Sequence, residues 1–127
     1  MARILVIEDE APIRANLLRF VRLEGHTALE AVDGLTGLMA AREHLPDLIF
    51  CDMMMPQMNG LEVLAALQSE AALRHIPLVF LSASAEPEKL DDALRLGASG
   101  YVTKPFNFAQ LKAVLRQHLD QPDATSI

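Results

Sequence analysis

Leu48-Ile49-Phe50-Cys51-Asp52-Met53-Met54-Met55-Pro56 runs an apolar tetrad straight into a carboxylate, and three methionines and a proline follow at once. The tetrad has the length and composition of a buried strand. Upstream, Ile4-Leu5-Val6-Ile7 makes the same transition, ending in Glu8 and Asp9. If both runs are parallel strands of one sheet, their acidic ends meet at its carboxyl edge, where open α/β sheets hold their ligands. Three carboxylates gathered there repel one another and favour a hard divalent cation.

Working outward, runs of strand length alternate with stretches of helical periodicity along the whole chain. The spacing predicts strands over Arg3–Ile7, His26–Ala31, Leu48–Cys51, Leu78–Leu81 and Gly100–Val102. The first, third and fourth are almost continuously apolar, as central parallel strands covered on both faces must be. The second and fifth are more polar and belong toward the edges. Helices are predicted over Ala11–Glu24, Leu35–Glu43, a third opening at Asn59-Gly60 and carrying Leu61, Val63, Leu64 and Leu67, then Pro87–Leu96 and Phe108–Leu119. In the first, Ile13, Leu17, Leu18, Phe20 and Val21 make one face, with Arg14, Arg19 and Arg22 mostly outside. Acidic Glu86 and Glu88 suit the first turn of the fourth helix. Strict βα alternation implies a doubly wound α/β domain, a parallel sheet with helices on both faces.

The 127 residues suffice for one domain with a sizeable core, and 51% hydrophobic with 22% charged residues excludes a disordered chain. A net charge of −6 speaks against nucleic-acid binding by this domain, because phosphate backbones select for excess Lys and Arg. One cysteine, Cys51, excludes an internal disulfide and is expected to be a buried strand residue. The apolar run after Met1-Ala2-Arg3 is too short for a signal peptide, and nothing approaches a membrane span. A cytoplasmic location without membrane contact is the expectation. Gln121 to Ile127 is expected to be a disordered tail or the start of a linker, with residues 1–120 as the domain.

Each acidic residue has an ordinary explanation by itself. Glu8 and Asp9 could be an N-cap pair for the helix near Ala11, and Asp52 a turn residue before Pro56. Their shared placement after neighbouring strands argues otherwise, since independent caps have no reason to converge. Lys104-Pro105-Phe106 also follows directly on a strand, and an X-Pro bond there, if cis, would fix where the preceding side chain points. A lysine aimed among carboxylates completes a phosphoryl-transfer site in outline. Ser82, near the end of the fourth strand, is placed to donate to a phosphoryl oxygen, whereas Ser84 reads as a turn or cap ahead of Glu86-Pro87. Met53, Met54, Met55 and Met58 read as adaptable packing, because a soft-metal site would need Cys and His partners. Neither a GxGxxG nor a GxxxxGK[ST] motif occurs, which disfavours dinucleotides and a P-loop.

Taken together, Glu8-Asp9, Asp52-x-x-Met55-Pro56-x-x-x-Gly60, Ser82-Ala83, Gly97-Ala98 and Tyr101-x-x-Lys104-Pro105-Phe106 resemble the receiver domain of two-component response regulators. The similarity runs from Arg3 to about Leu119. It implies a flavodoxin-like five-stranded sheet of order 2-1-3-4-5 with five helices, an order that comes with the family and not from this chain's own pattern. It further implies a phosphorylation-dependent switch and not a turnover enzyme. Asp52 would accept a phosphoryl group from a histidine kinase or phosphotransfer protein. Mg²⁺ would be held by Asp9, Asp52 and the Met54 carbonyl, with Glu8 acting through the ion's waters. Lys104 and Ser82 would bind the phosphoryl group, Tyr101 would turn inward, and a downstream partner would read the face from Pro87 to Leu119. Ser82 stands where many members carry Thr, and Ser99-Gly100 where winged-helix members usually carry Asp-Asp. The alternative from another class is a Mg²⁺-dependent phosphohydrolase with an Asp nucleophile. Such enzymes usually place a second acid two residues on, and here that residue is Met54.

Overall fold

The computed structural model describes residues 1–83 and 87–119. Ser84, Glu86 and the segment from Gln121 to Ile127, on which the sequence raised expectations, lie outside the described residues. The elements follow in strict alternation: β1 (Arg3–Ile7), α1 (Ala11–Leu23), β2 (Thr27–Ala31), α2 (Gly34–His44), β3 (Leu48–Asp52), α3 (Gly60–Gln68), β4 (Leu78–Ser82), α4 (Pro87–Arg95), β5 (Gly100–Thr103) and α5 (Phe108–His118). All strand pairs are parallel and the order is β2-β1-β3-β4-β5. The flavodoxin-like architecture and its five helices are therefore as expected.

Alternation along the strands splits the core into two layers. Leu5, Ile7, Ile49, Cys51, Leu78 and Phe80 pack against residues of α2, α3 and α4. Ile4, Val6, Leu48, Phe50, Val79 and Leu81 face the opposite way, against α1 and α5. Phe20, Phe50 and Phe80 are wholly buried, each stabilising by about 2 to 3 kcal/mol on leaving water. Leu73 and Ile76, in the turns between α3 and β4, join the first layer although no helix or strand carries them.

Three strands run one residue further than the apolar pattern suggested, because Asp52, Ser82 and Thr103 keep their places in the ladder. β2 begins one residue later, since the His26 amide donates to Val21 and its ring accepts from the Ala2 amide. Three helix starts, those of α2, α3 and α5, are set by side chains that satisfy free amides. Asp33 with Thr36, Asn59 with Glu62 and Asn107 with Gln110 each form a reciprocal capping box. Helix α2 ends in Leu45 at φ 47°, a left-handed conformation that a residue with a Cβ adopts at a cost.

Candidate functional site: an acidic pocket at the carboxyl edge of the sheet

Parallel strands of matched register put their last residues side by side. Ile7 pairs with Cys51, Asp52 with Leu81, and Ser82 with Thr103, so Glu8, Asp52, Ser82 and Lys104 all stand at one edge. Glu8 is fully buried, and Asp52 and Ser82 nearly so. Two acids at this depth need compensation, and Lys104 supplies it. Its Nζ lies 3.2 Å from Asp52 Oδ2, 3.1 Å from Glu8 Oε1 and 3.9 Å from Glu10 Oε1. The backbone holds the lysine in place: its amide donates to the Ser82 carbonyl at 2.7 Å, and the Lys104–Pro105 bond is cis. Asp52 is also held from the other side, since the Met54 amide donates to Oδ1 at 3.1 Å.

The acids are unequal. Glu8 Oε2 accepts from the Glu10 amide at 3.2 Å. Oε1 faces Lys104 as an ion pair without hydrogen-bond geometry, and this buried oxygen has no donor. Burial first, and then the neighbouring Asp52 carboxylate, push Glu8 up to about 7, against the opposing pull of the Glu10 amide and Lys104. Burial disfavours the Lys104 ammonium, but Glu8 and Asp52 outweigh it and hold Lys104 above the usual lysine range. Cys51 is wholly buried, and desolvation drives its thiol far above the usual range, so it is no nucleophile.

Carboxylate oxygens of Glu8, Glu10 and Asp52 lie within 4.8 Å of one another. An all-oxygen donor set with an undonated buried oxygen suits a hard cation, so this cluster could hold a metal. The sequence points to Asp9 as an ion holder beside Glu8 and Asp52. Asp9 is exposed and its carboxylate is not one of these three, whereas that of Glu10 is. Glu10 stands at the N-cap of α1 with extended backbone (φ −83°, ψ 112°). Nor do Glu8 and Asp9 cap α1: the N-cap is Glu10, whose side chain makes no capping bond.

Arg14, which the helical period places outside, turns in. Its Nη1 donates to the Glu8 carbonyl at 2.9 Å and its Nε pairs with Glu30 at 3.2 Å, tying α1 and β2 to the acidic loop. Gly60 is required by close approach, since a Cβ there would lie 2.6 Å from the Asp52 carbonyl oxygen. The methionines divide: Met53 and Met55 are buried in the core, Met58 packs against it, and Met54 is 69% exposed. Tyr101 lies on β5 beside Phe80 and is 40% exposed.

Comparison with known proteins agrees with this geometry. Residues 4–116 match the family described as response regulator receiver domain. The chain is 41% identical over 119 residues to the phosphate regulon transcriptional regulatory protein PhoB of Klebsiella pneumoniae, covering 91% of this chain and 52% of that protein. It is 36% identical over 124 residues to the DNA-binding response regulator MtrA of Mycolicibacterium paratuberculosis, covering 94% and 54%. It thus spans about half the length of the curated relatives it matches. Among solved structures, chemotaxis protein CheY4 of Vibrio cholerae superposes with a TM-score of 0.89 at 30% identity, over 94% of this chain and 99% of that one. No helix among the described residues is long and apolar enough to cross a membrane. A buried acid paired to a strand-end lysine, on this sheet order and with these relatives, identifies the chain as a member of the response regulator receiver domain family, a phosphoacceptor switch rather than a turnover enzyme.

Proposed function

We propose that Asp52 is the phosphoryl acceptor, and that residues 1–120 form the receiver. The carrying observation is its buried carboxylate, held by the Met54 amide on one oxygen and Lys104 on the other, within an oxygen-only cluster. In the transfer, an Asp52 oxygen forms a bond to phosphorus as the bond from phosphorus to the donor's imidazole nitrogen breaks, and that nitrogen leaves carrying the electron pair. The donor is a histidine kinase or phosphotransfer protein, which places the domain in the cytoplasm. Lys104 offsets charge on the transferred group and Ser82 donates to it. The cation is Mg²⁺, for which the donor set is suitably hard. Glu8, Asp9, Asp52 and the Met54 carbonyl are the expected holders, with Glu10 beside them. When bound, Mg²⁺ supplies positive charge against that of the phosphoryl group.

The added phosphoryl group then biases Ser82, the last residue of β4, and Tyr101 within β5. The surface that changes is the face from Pro87 to Leu119, where Leu94, Leu96 and Tyr101 are exposed. A downstream protein or output domain reads it. The relatives' names speak of transcription and DNA binding, but they describe proteins about twice as long. With a net charge of −6, this domain is assigned no nucleic-acid contact of its own.

Incubation with Mg²⁺ and acetyl phosphate, followed by intact mass, tests the reading. The parent gains one phosphoryl group and Asp52→Asn gains none. Labelling of the variant at the parental level refutes the assignment. Continuous phosphate release from acetyl phosphate without a labelled protein would favour the phosphohydrolase alternative, against which Met54 stands where such enzymes usually carry an acid.

A further inference from the structure

We propose that Glu10 sets how much negative charge a phosphoryl donor can carry into the site. The inference rests on Asp52 as acceptor. Four observations single out Glu10. Its carboxylate completes the cluster with Glu8 and Asp52. Its Oε1 lies 3.9 Å from the same Lys104 ammonium those two acids share, and its side chain is 61% exposed, at the mouth of the pocket. It sits at the N-cap of α1 yet makes no capping bond, so helix initiation does not account for a glutamate here. Its backbone amide, by contrast, is tied to Glu8 Oε2 at 3.2 Å, which fixes where the side chain starts.

With Asp9 counted as an ion holder, the four carboxylates of Glu8, Asp9, Glu10 and Asp52 against one ammonium and one divalent ion leave one net negative charge, which opposes an entering anion. Without Glu10 the same site is neutral. Glu10 is therefore a specificity-determining residue that disfavours small, highly charged donors. A donor with a smaller net charge at its phosphoryl group feels it less. Buried Asp52 keeps its role in either case.

Two small donors of different charge separate this from a general effect. Acetyl phosphate enters as a dianion: Asp52 oxygen bonds to phosphorus, the P–O bond to the acetyl group breaks, and acetate leaves. Phosphoramidate carries one net negative charge: the P–N bond breaks and ammonia leaves. Initial rates are compared for the parent, Glu10→Gln and Glu10→Asp. Each is held at a Mg²⁺ concentration shown to be saturating by a melting-temperature titration. Glu10→Gln should be faster with acetyl phosphate by about threefold or more at low salt, and distinctly less so with phosphoramidate. The gain should shrink as ionic strength rises toward about 0.5 M, and Glu10→Asp, which keeps the charge, should stay near the parent.

An equal factor with both donors, or one indifferent to salt, overturns the proposal. So does a slower Glu10→Gln with a raised Mg²⁺ midpoint, which would make Glu10 an ion holder. A parent labelled by neither donor would overturn the acceptor assignment itself, and this inference with it.

Discussion

Asp52 and Lys104, 52 positions apart in sequence, meet as a buried pair with 3.2 Å between Oδ2 and Nζ. The strand between them, β4, serves both: Asp52 pairs with Leu81 in the ladder, and the Lys104 amide donates to Ser82. The lysine thus reaches across one strand to the acid, and Glu8 reaches it from β1's end on the other side.

Removing that lysine leaves Glu8 and Asp52 without their counter-charge. Lys104→Met should destabilise the metal-free protein by about 2 kcal/mol at pH 8, below the usual range for a fully buried pair because the ammonium keeps some water. The loss should be smaller at pH 5, where Glu8 is protonated. Urea unfolding at the two pH values measures it, and an equal loss at both would contradict the account.

Glu8 makes stability depend on pH in an unusual direction for a carboxylate. Its folded value is raised from 4.5 to about 7, so between these values the folded state binds more protons than the unfolded one. Stability from this group is complete below pH 4.5 and is lost as pH rises to about 7. His118, held below its ordinary value by burial, acts oppositely just under pH 6.5, so the parent curve alone is a mixture. The difference between parent and Glu8→Gln isolates the effect: in the absence of Mg²⁺ the variant should gain on the parent steadily across that window. A flat difference would show that Glu8 ionises normally.

Gly60 has no room for a side chain. A Cβ would stand 2.6 Å from the Asp52 carbonyl, 2.7 Å from Phe80 and 2.8 Å from the Met53 Cα, and two of these neighbours are backbone. Gly60→Ala should cost about 1 to 3 kcal/mol by overpacking. Because the first atom struck belongs to Asp52, phosphorylation with acetyl phosphate should slow as well. Melting and labelling measured on one preparation would show whether the two losses go together.

Leu45 offers the reverse. It closes α2 at φ 47° and is 55% exposed, so little packing is lost on replacement. Leu45→Gly relieves the left-handed strain and should stabilise by about 0.5 to 1 kcal/mol, visible as a rise of about 2 to 4 °C in melting temperature. A fall would mean that Leu45 packs more usefully than its exposure indicates.

The sheet was legible because its central strands, such as Leu48–Cys51, are unbroken apolar runs. Its ends were less so: Asp52 and Ser82 are polar, and hydropathy cannot tell a residue in the ladder from one just past it. Lys104 could be placed at the site because it directly follows a strand. Arg14 could not, since a helical period assigns a face but not whether a long side chain turns back to the Glu8 carbonyl. That Glu10 joins the acidic cluster depends on the dihedral angles of a loop, which composition does not encode.

The position of the chemistry at strand ends also bears on how such a domain can diversify. Asp52 and Ser82 are the last residues of buried strands, while Leu35, Met39 and Leu94 lie outward on helices that only cover the sheet. Drift or a combinatorial library confined to such outward positions alters the surface that other proteins meet and leaves Asp52, Ser82 and Lys104 unchanged. Acquiring a new conversation partner and keeping the old reaction are, in this architecture, separate mutational problems.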